Sequence, residues 1–174
     1  MSTPTTRVAF HTMGCKTNFS ETSTISREMM AYGLQQVSFR DTADVYVLNS
    51  CSVTENADKE ARKLIRQARR RNPDATVAVI GCYAQLQPAD IAAIPGVELV
   101  VGAAEKFNLF AHLSSLKANG KATVIQSPIE TVQSFQPSFS AAERTRTYLK
   151  IQDGCNYNCS FCTIPLARGR SRSD

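Results

Sequence analysis

From Arg7 to about Leu116 the chain alternates short β-rich runs with segments of helical periodicity. This alternation is typical of β–α units, in which parallel strands form a sheet and helices cover its faces. The predicted strands are 8–13, 45–49, 76–81 and 98–102, and the predicted helices are 22–32, 55–71, 88–94 and 104–117. The sequence therefore predicts an α/β fold with an open, mostly parallel sheet flanked by helices.

The helix at 55–71 has the clearest pattern. Thr54 is available as the N-cap. The apolar residues recur at three- and four-residue steps on one face: Ala57, Ala61, Leu64, Ile65 and Ala68. After residue 120 the periodicity fades into a segment with Pro128 and Pro137. We predict a first domain at 1–120, a linker at 121–144 and a further segment at 145–174, which opens with a strand at 147–152.

Length and composition limit the class of protein. A chain of 174 residues with 43% hydrophobic and 20% charged residues is typical of a globular protein with one main core. No apolar run approaches the roughly 18–20 residues of a membrane span, and MSTPTTR lacks the apolar core of a signal peptide. We therefore expect a cytoplasmic protein with no membrane partner, in which the six cysteines are reduced rather than paired as disulfides.

Three of the cysteines each follow a predicted strand: Cys15, Cys51 and Cys82. The carboxyl ends of parallel strands share one edge of a sheet, so these thiols are expected to meet at one site. They could be small buried hydrophobic residues, or zinc ligands with a fourth ligand such as His11, or ligands of an iron–sulfur cluster with one open iron. His11 and His112 are both expected to be structural.

The other three cysteines form a compact run after the last predicted strand: Cys155, Cys159 and Cys162. Their spacing differs from that of a bacterial ferredoxin, and no fourth cysteine follows them. A four-iron cluster held by three thiolates has one iron that can bind a substrate or cofactor.

The run GCNYNCSFCTIP, with the aromatic Phe161 before its last cysteine, resembles the signature of radical S-adenosylmethionine enzymes. Within that large group, TMGCKTN, VLNSCSVTENADKEARK and VAVIGCYAQLQP resemble the three cysteine motifs of the methylthiotransferases. The resemblance runs from Val8 to Ser173 and includes RGRSRS. The lysine after Cys15 and the sequence NSCSVT are most similar to the branch that acts on threonylcarbamoyladenosine at position 37 of transfer RNA. Neighbouring branches act on isopentenyladenosine in transfer RNA or on an aspartate of a ribosomal protein.

This resemblance implies two [4Fe–4S] clusters with different tasks. Cys155, Cys159 and Cys162, beside Phe161, would hold the cluster that binds S-adenosylmethionine and, with an electron donor, cleaves it to a radical. The upstream three cysteines would hold an auxiliary cluster that carries the transferred sulfur. The resemblance also implies that residues 145–174 are only the first strand and cluster loop of a barrel, so we expect the chain alone to lack methylthiolation activity.

The net charge of +5 favours a polyanionic partner. The resemblance implies that this partner is the anticodon loop of transfer RNA. Basic residues crowd the 55–71 helix and follow the last cysteine: Arg62, Lys63, Arg66, Arg69, Arg70, Arg71, Arg168, Arg170 and Arg172. They could contact phosphates, or the helix could simply present a solvated face. Rival interpretations of the whole chain are an iron–sulfur electron carrier, a radical enzyme with a cobalamin domain, and a zinc-stabilised RNA-binding module.

Overall fold

A computed structural model describes residues 5–51, 55–116, 120–141, 145–157 and 159–173, and a six-stranded sheet lies at its centre. The strands are β1 (Arg7–Thr12), β2 (Gln35–Val37), β3 (Val45–Ser50), β4 (Thr76–Gly81), β5 (Leu99–Val101) and β6 (Thr123–Ile125). Their order is β2-β1-β3-β4-β5-β6, and every neighbouring pair is parallel. The predicted α/β class is confirmed.

Helices cover both faces of this sheet. They are α1 (Lys16–Ala31), α2 (Glu55–Arg71), α3 (Cys82–Leu86), α4 (Pro88–Ala92), α5 (Leu109–Ser115) and α6 (Ile164–Arg168). Residues of α2, α3 and α4 pack on one face, and residues of α1 and α5 pack on the other. The predicted stripe of α2 is buried at Ala61, Leu64, Ile65 and Ala68. Thr54, the expected N-cap, lies outside the described residues. Within the described ranges, no helix has both the length and the apolar character needed to cross a bilayer.

Several element boundaries differ from the prediction. Helix α1 begins at Lys16, six residues before the predicted start, because its first half buries polar side chains and so lacks apolar periodicity. Strands β2 and β6 were not predicted, since each has only three residues. Helix α3 begins directly at Cys82, and a 3₁₀ turn at Lys106–Asn108 precedes the short α5, where one longer helix was expected.

The downstream part of the chain packs against the sheet domain. Strands β7 (Ser138–Phe139) and β8 (Leu149–Lys150) form an antiparallel pair that contacts α1, and β8 is shorter than the predicted 147–152. Ser20 and Ser138 share a hydrogen bond of 2.9 Å between their hydroxyls. Helix α6 contacts α3. The segment 121–144, expected as a linker, thus contains β6 and β7, while the division into domains and the start of a barrel stay predictions.

Candidate metal centre

Strand register places Cys51 beside Cys82. Ser50 at the end of β3 pairs with Gly81 at the end of β4, and each cysteine is the next residue along the chain. Gly81 has φ of +98°, and a Cβ there would collide with the Ser50 backbone. The tight approach of these two strand ends therefore depends on glycine.

The loop that carries Cys15 closes on the same edge. Thr12 pairs with Asn49 of β3, and the Met13 amide donates a 2.9 Å hydrogen bond to the Asn49 carbonyl. A Cβ at Gly14, where φ is +90°, would lie 2.7 Å from both Cβ and Sγ of Cys51. The three strand ends thus meet as the sequence predicted, with Cys15 exposed, Cys51 half-buried and Cys82 buried.

The buried side chain of Asn18 ties two of these loops together. Its Nδ2 donates to the carbonyl of Met13, at 3.0 Å, and to that of Ser50, at 3.2 Å. These carbonyls immediately precede Gly14-Cys15 and Cys51 in the chain. Asn18 therefore fixes the spacing between the loops of the first and second cysteines.

The donor set at this edge suits an iron–sulfur cluster. Three thiolates are soft ligands, and three rather than four ligands leave one iron open. Among the described residues, however, no group of three or more His, Cys, Asp and Glu side chains is arranged as a metal-ion site. Metal binding by Cys15, Cys51 and Cys82 accordingly stays a prediction.

A group of charged residues lies beneath this edge, and we call it the buried charge cluster: Glu21, Lys106, Lys150, Asp153 and Arg168. Glu21 is completely buried in α1. Its carboxylate accepts from Lys106 Nζ at 2.8 Å and from Lys150 Nζ at 3.0 Å. Arg168 donates to both Glu21 oxygens, at 3.0 and 3.2 Å. One carboxylate therefore receives three cations from three separate parts of the chain.

Asp153 is the second anion of the cluster. Its carboxylate accepts from Arg168 at 2.7 Å and from Lys150 at 3.2 Å. Burial alone would raise the pKa of Asp153, but Lys106 and Arg168 outweigh it and the pKa is lowered. The same balance holds the pKa of Glu21 well below its ordinary range, since Lys106, Arg168 and Lys150 outweigh the effect of burial.

The cluster contains one more cation than anion, and Cys82 lies beside that excess charge. Arg168 donates a 2.6 Å hydrogen bond from Nη2 to Asn18 Oδ1, and α6, which carries Arg168, contacts α3, which begins at Cys82. Burial raises the pKa of the Cys82 thiol, while Arg168 and Lys106 act in the opposite direction. A four-iron cluster on three thiolates is an anion in its oxidised form, so the surrounding charge fits such a group.

The downstream cysteines lie in a loop closed at its base. Backbone hydrogen bonds of 2.8 and 2.7 Å join Asp153 to Arg172, and the Cys155 amide donates to the Gly169 carbonyl at 3.0 Å. The Cys162 amide donates to the Cys159 carbonyl at 3.1 Å. Cys159 is exposed, Cys155 and Cys162 are half-buried, and the Phe161 side chain is 90% exposed. The loop thus presents its thiols near the surface.

A cleft of about 470 Å³ opens beside this loop. Its walls include Cys155 and Asn156 from the loop, Pro165 and Leu166 from α6, and Ile129. This mixed lining could receive the apolar and polar parts of a small molecule bound next to the cysteines.

The basic residues do not share one environment. Arg168 is buried in the charge cluster, which excludes phosphate contact and favours the alternative that this residue serves the fold. Arg172 lies 3.8 Å from Asp153, whereas Arg170 is exposed. On α2, Arg69 donates to the Ala75 carbonyl, and Arg71 lies over the Phe39 ring. Of the basic α2 residues named from the sequence, three have exposed side chains and remain candidates for phosphate contact: Lys63, Arg66 and Arg70.

The two histidines have structural contacts. His11 packs against the Phe39 ring with centroids 5.1 Å apart, and burial lowers its pKa despite the opposing charge of Glu60. His112 lies 3.1 Å from the Glu105 carboxylate on the surface of α5. Both histidines therefore have contacts of a structural kind, as expected from the sequence.

The chain was compared with known protein families and with curated proteins. Residues 7–102, more than half of the chain, match the family described as Uncharacterized protein family UPF0004. A relative in Bacillus subtilis, threonylcarbamoyladenosine tRNA methylthiotransferase MtaB, is 44% identical over 95% of this chain and 37% of its own length. The chain belongs to the methylthiotransferase family.

Other methylthiotransferases match the same extent of sequence. MtaB of Aquifex aeolicus is 41% identical over 96% of this chain and 41% of its own length. Ribosomal protein uS12 methylthiotransferase RimO of Chloroflexus aurantiacus is 32% identical over 93% of this chain and 39% of its own length. The chain thus spans about two fifths of the length of these curated relatives.

The sequence indicated all six cysteines as candidate ligands but not the charged residues that connect the two triplets. Glu21 fell just outside the predicted helix, and Lys106 and Lys150 carry no local signal of burial. Only Arg168 had been singled out, for a different role. A carboxylate among Ser and Thr residues at the start of a helix is the one hint that the sequence offers at Glu21.

Proposed function

We propose that this chain is part of a transfer RNA methylthiotransferase that converts N6-threonylcarbamoyladenosine at position 37 to its 2-methylthio derivative by radical S-adenosylmethionine chemistry. The observation that carries the proposal is that the three strand ends preceding Cys15, Cys51 and Cys82 lie at one edge of the sheet. The names of the Bacillus and Aquifex relatives support the modified adenosine as substrate.

Each triplet would hold one [4Fe–4S] cluster. When bound, the clusters would supply reductive cleavage of S-adenosylmethionine at the downstream site and sulfur at the upstream site. The exposed loop of Cys155, Cys159 and Cys162, with Phe161 and the adjoining cleft, would receive the cofactor. The upstream edge would hold its cluster against the buried charge cluster, which supplies the compensating positive charge.

The test is metal analysis of the chain after anaerobic reconstitution with iron and sulfide. Three proteins are compared: the wild type, the triple variant Cys15→Ala, Cys51→Ala, Cys82→Ala, and the triple variant Cys155→Ala, Cys159→Ala, Cys162→Ala. We expect about eight irons in the wild type and about four in each variant. Equal iron content in the wild type and the first variant would remove the upstream site. Zinc without sulfide would instead favour a zinc-stabilised module.

Addition of S-adenosylmethionine to the reduced chain tests the downstream site separately. The electron paramagnetic resonance spectrum of the first triple variant, which keeps only the downstream cysteines, should change when the cofactor is added. An unchanged spectrum would favour an electron-transfer protein over a radical enzyme.

A further inference from the structure

Arg168 contacts parts of both cysteine sites, although it belongs to the downstream segment. Its Nη2 donates to Asn18 Oδ1 at 2.6 Å, and its helix α6 contacts α3, which begins at Cys82. Its Nη1 donates to Asp153, two residues before Cys155, at 2.7 Å. The side chain is nine-tenths or more buried, so these contacts are shielded from solvent.

Asn18 extends this arrangement to the other two upstream cysteines. Its oxygen accepts from Arg168, so its nitrogen is directed to the carbonyls of Met13 and Ser50, which precede Cys15 and Cys51. Arg168 therefore fixes the orientation of the amide that spaces those two loops. It also belongs to α6, which contacts the helix that begins at the third cysteine, Cys82.

We propose that Arg168 is a positioning residue of the upstream cysteine site, through which the segment after Cys162 completes that site. The inference rests on the proposed function, because it assumes that Cys15, Cys51 and Cys82 hold a cluster. Arg168 acts in two separable ways. Its planar fork orders Asn18, Glu21 and Asp153 at once, and its charge lies next to a ligand of an anionic cluster.

These two actions predict different outcomes for different substitutions. Arg168→Gln removes both the charge and the fork, whereas Arg168→Lys keeps a positive charge that cannot reach all the partners together. Loss of the charge should lower the reduction potential of the upstream cluster, because a nearby cation favours the more negative, reduced state. Loss of the fork should weaken retention of the cluster.

The experiment uses the full 174-residue chain with Cys155→Ser, Cys159→Ser and Cys162→Ser as the parent, so that only the upstream site can be loaded. Arg168→Gln, Arg168→Lys and the exposed control Arg170→Gln are made in this parent. The readouts are iron retained against a chelator, the midpoint potential by spectroscopic redox titration, and the thermal midpoint of the iron-free protein.

We expect Arg168→Gln to weaken iron retention by about 10–100-fold and to lower the potential, as for residues that support metal ligands. Arg168→Lys should lose retention while its potential stays near that of the parent. Arg170→Gln should match the parent in both readouts. If Arg168→Gln does not fold, the retention and potential of Arg168→Lys decide the question.

The outcomes separate this inference from the proposed function. A parent that binds no cluster would overturn the upstream site itself. A parent that binds one, with Arg168 variants that match Arg170→Gln in retention and potential, would overturn the role of Arg168 alone.

Discussion

Glu21→Gln is the substitution to which the buried charge cluster should be most sensitive. The change keeps the shape of the side chain and removes one negative charge. Lys106, Lys150 and Arg168 then lose the carboxylate that all three contact at 2.8–3.2 Å, in a site where Glu21 has no solvent exposure. Asp153 alone would face three cations.

The expected loss of stability follows from this burial. Removal of one partner from a buried ion pair typically costs about 3–5 kcal/mol, because the remaining charge is left uncompensated in a poorly solvated site. A domain has about 5–15 kcal/mol of unfolding free energy, so the variant should be marginally stable. With an m-value of about 2 kcal/mol/M, its urea midpoint should fall by about 1.5–2.5 M.

The assay is urea unfolding of the iron-free chain followed by circular dichroism, with Glu28→Gln as the matched control. Glu28 is two turns further along the same helix and is exposed, so its substitution should change the unfolding free energy by no more than about 0.5 kcal/mol. Equal midpoints for the two variants would refute the view that Glu21 compensates the buried cations.

The same residue predicts a dependence of stability on pH. The pKa of Glu21 is lower in the folded chain than in the unfolded chain, where it is about 4.3. Its contribution is therefore present above about pH 4.3 and is lost as the pH falls through that value towards the folded pKa. Glu21→Gln should flatten this acid slope, and the remainder should come from Asp153, whose pKa is also lowered. An unchanged slope between pH 5 and 3 would contradict the assignment.

Two further predictions concern the site edge and the α2 surface. Gly14→Ala and Gly33→Ala both place a side chain at a positive φ, of 90° and 89°, and should each lose about 1–3 kcal/mol in urea unfolding. Only Gly14→Ala should also lose upstream iron, since a Cβ at Gly33 meets nothing within 4 Å. The double variant Arg66→Gln, Arg70→Gln should weaken transfer RNA binding and reduce its salt dependence in filter-binding titrations. Arg69→Gln should do neither, because Arg69 already contacts Glu98 and the Ala75 carbonyl.

The sheet and the upstream cysteines could be predicted from sequence because their signals are local. Strands β3 and β4 are continuous apolar runs, and parallel topology alone brings Cys51 and Cys82 to one edge. The rule needs no knowledge of side-chain contacts. The apolar pattern did not predict β2 and β6, since three-residue edge strands are too short to be distinguished from loops by their pattern.

The buried charge cluster could not be predicted, because its contacts join residues that are far apart in the sequence. Glu21 lies 129 positions before Lys150 and 147 positions before Arg168. Lys150 and Arg168 look like surface residues when only their neighbours in sequence are considered, and phosphate contact was therefore one of the roles open to Arg168. Burial of a cation is decided by where its anion lies in the fold. The first half of α1 was missed for a similar reason, because its buried side chains are polar and give no apolar periodicity.

The buried charge cluster, rather than an apolar contact, can fix one relative position of α1 and the downstream segment. Well-packed apolar residues of similar volume could give equal or greater stability than buried ion pairs, but an apolar surface tolerates small shifts in register. The planar fork of Arg168 satisfies Asn18, Glu21 and Asp153 in one orientation only. Two cysteine sites that must hold a fixed relation to each other require such a contact, and a slip along α1 would leave at least one buried charge unpaired. A replacement of the cluster by apolar residues should therefore preserve folding while it loosens the upstream site.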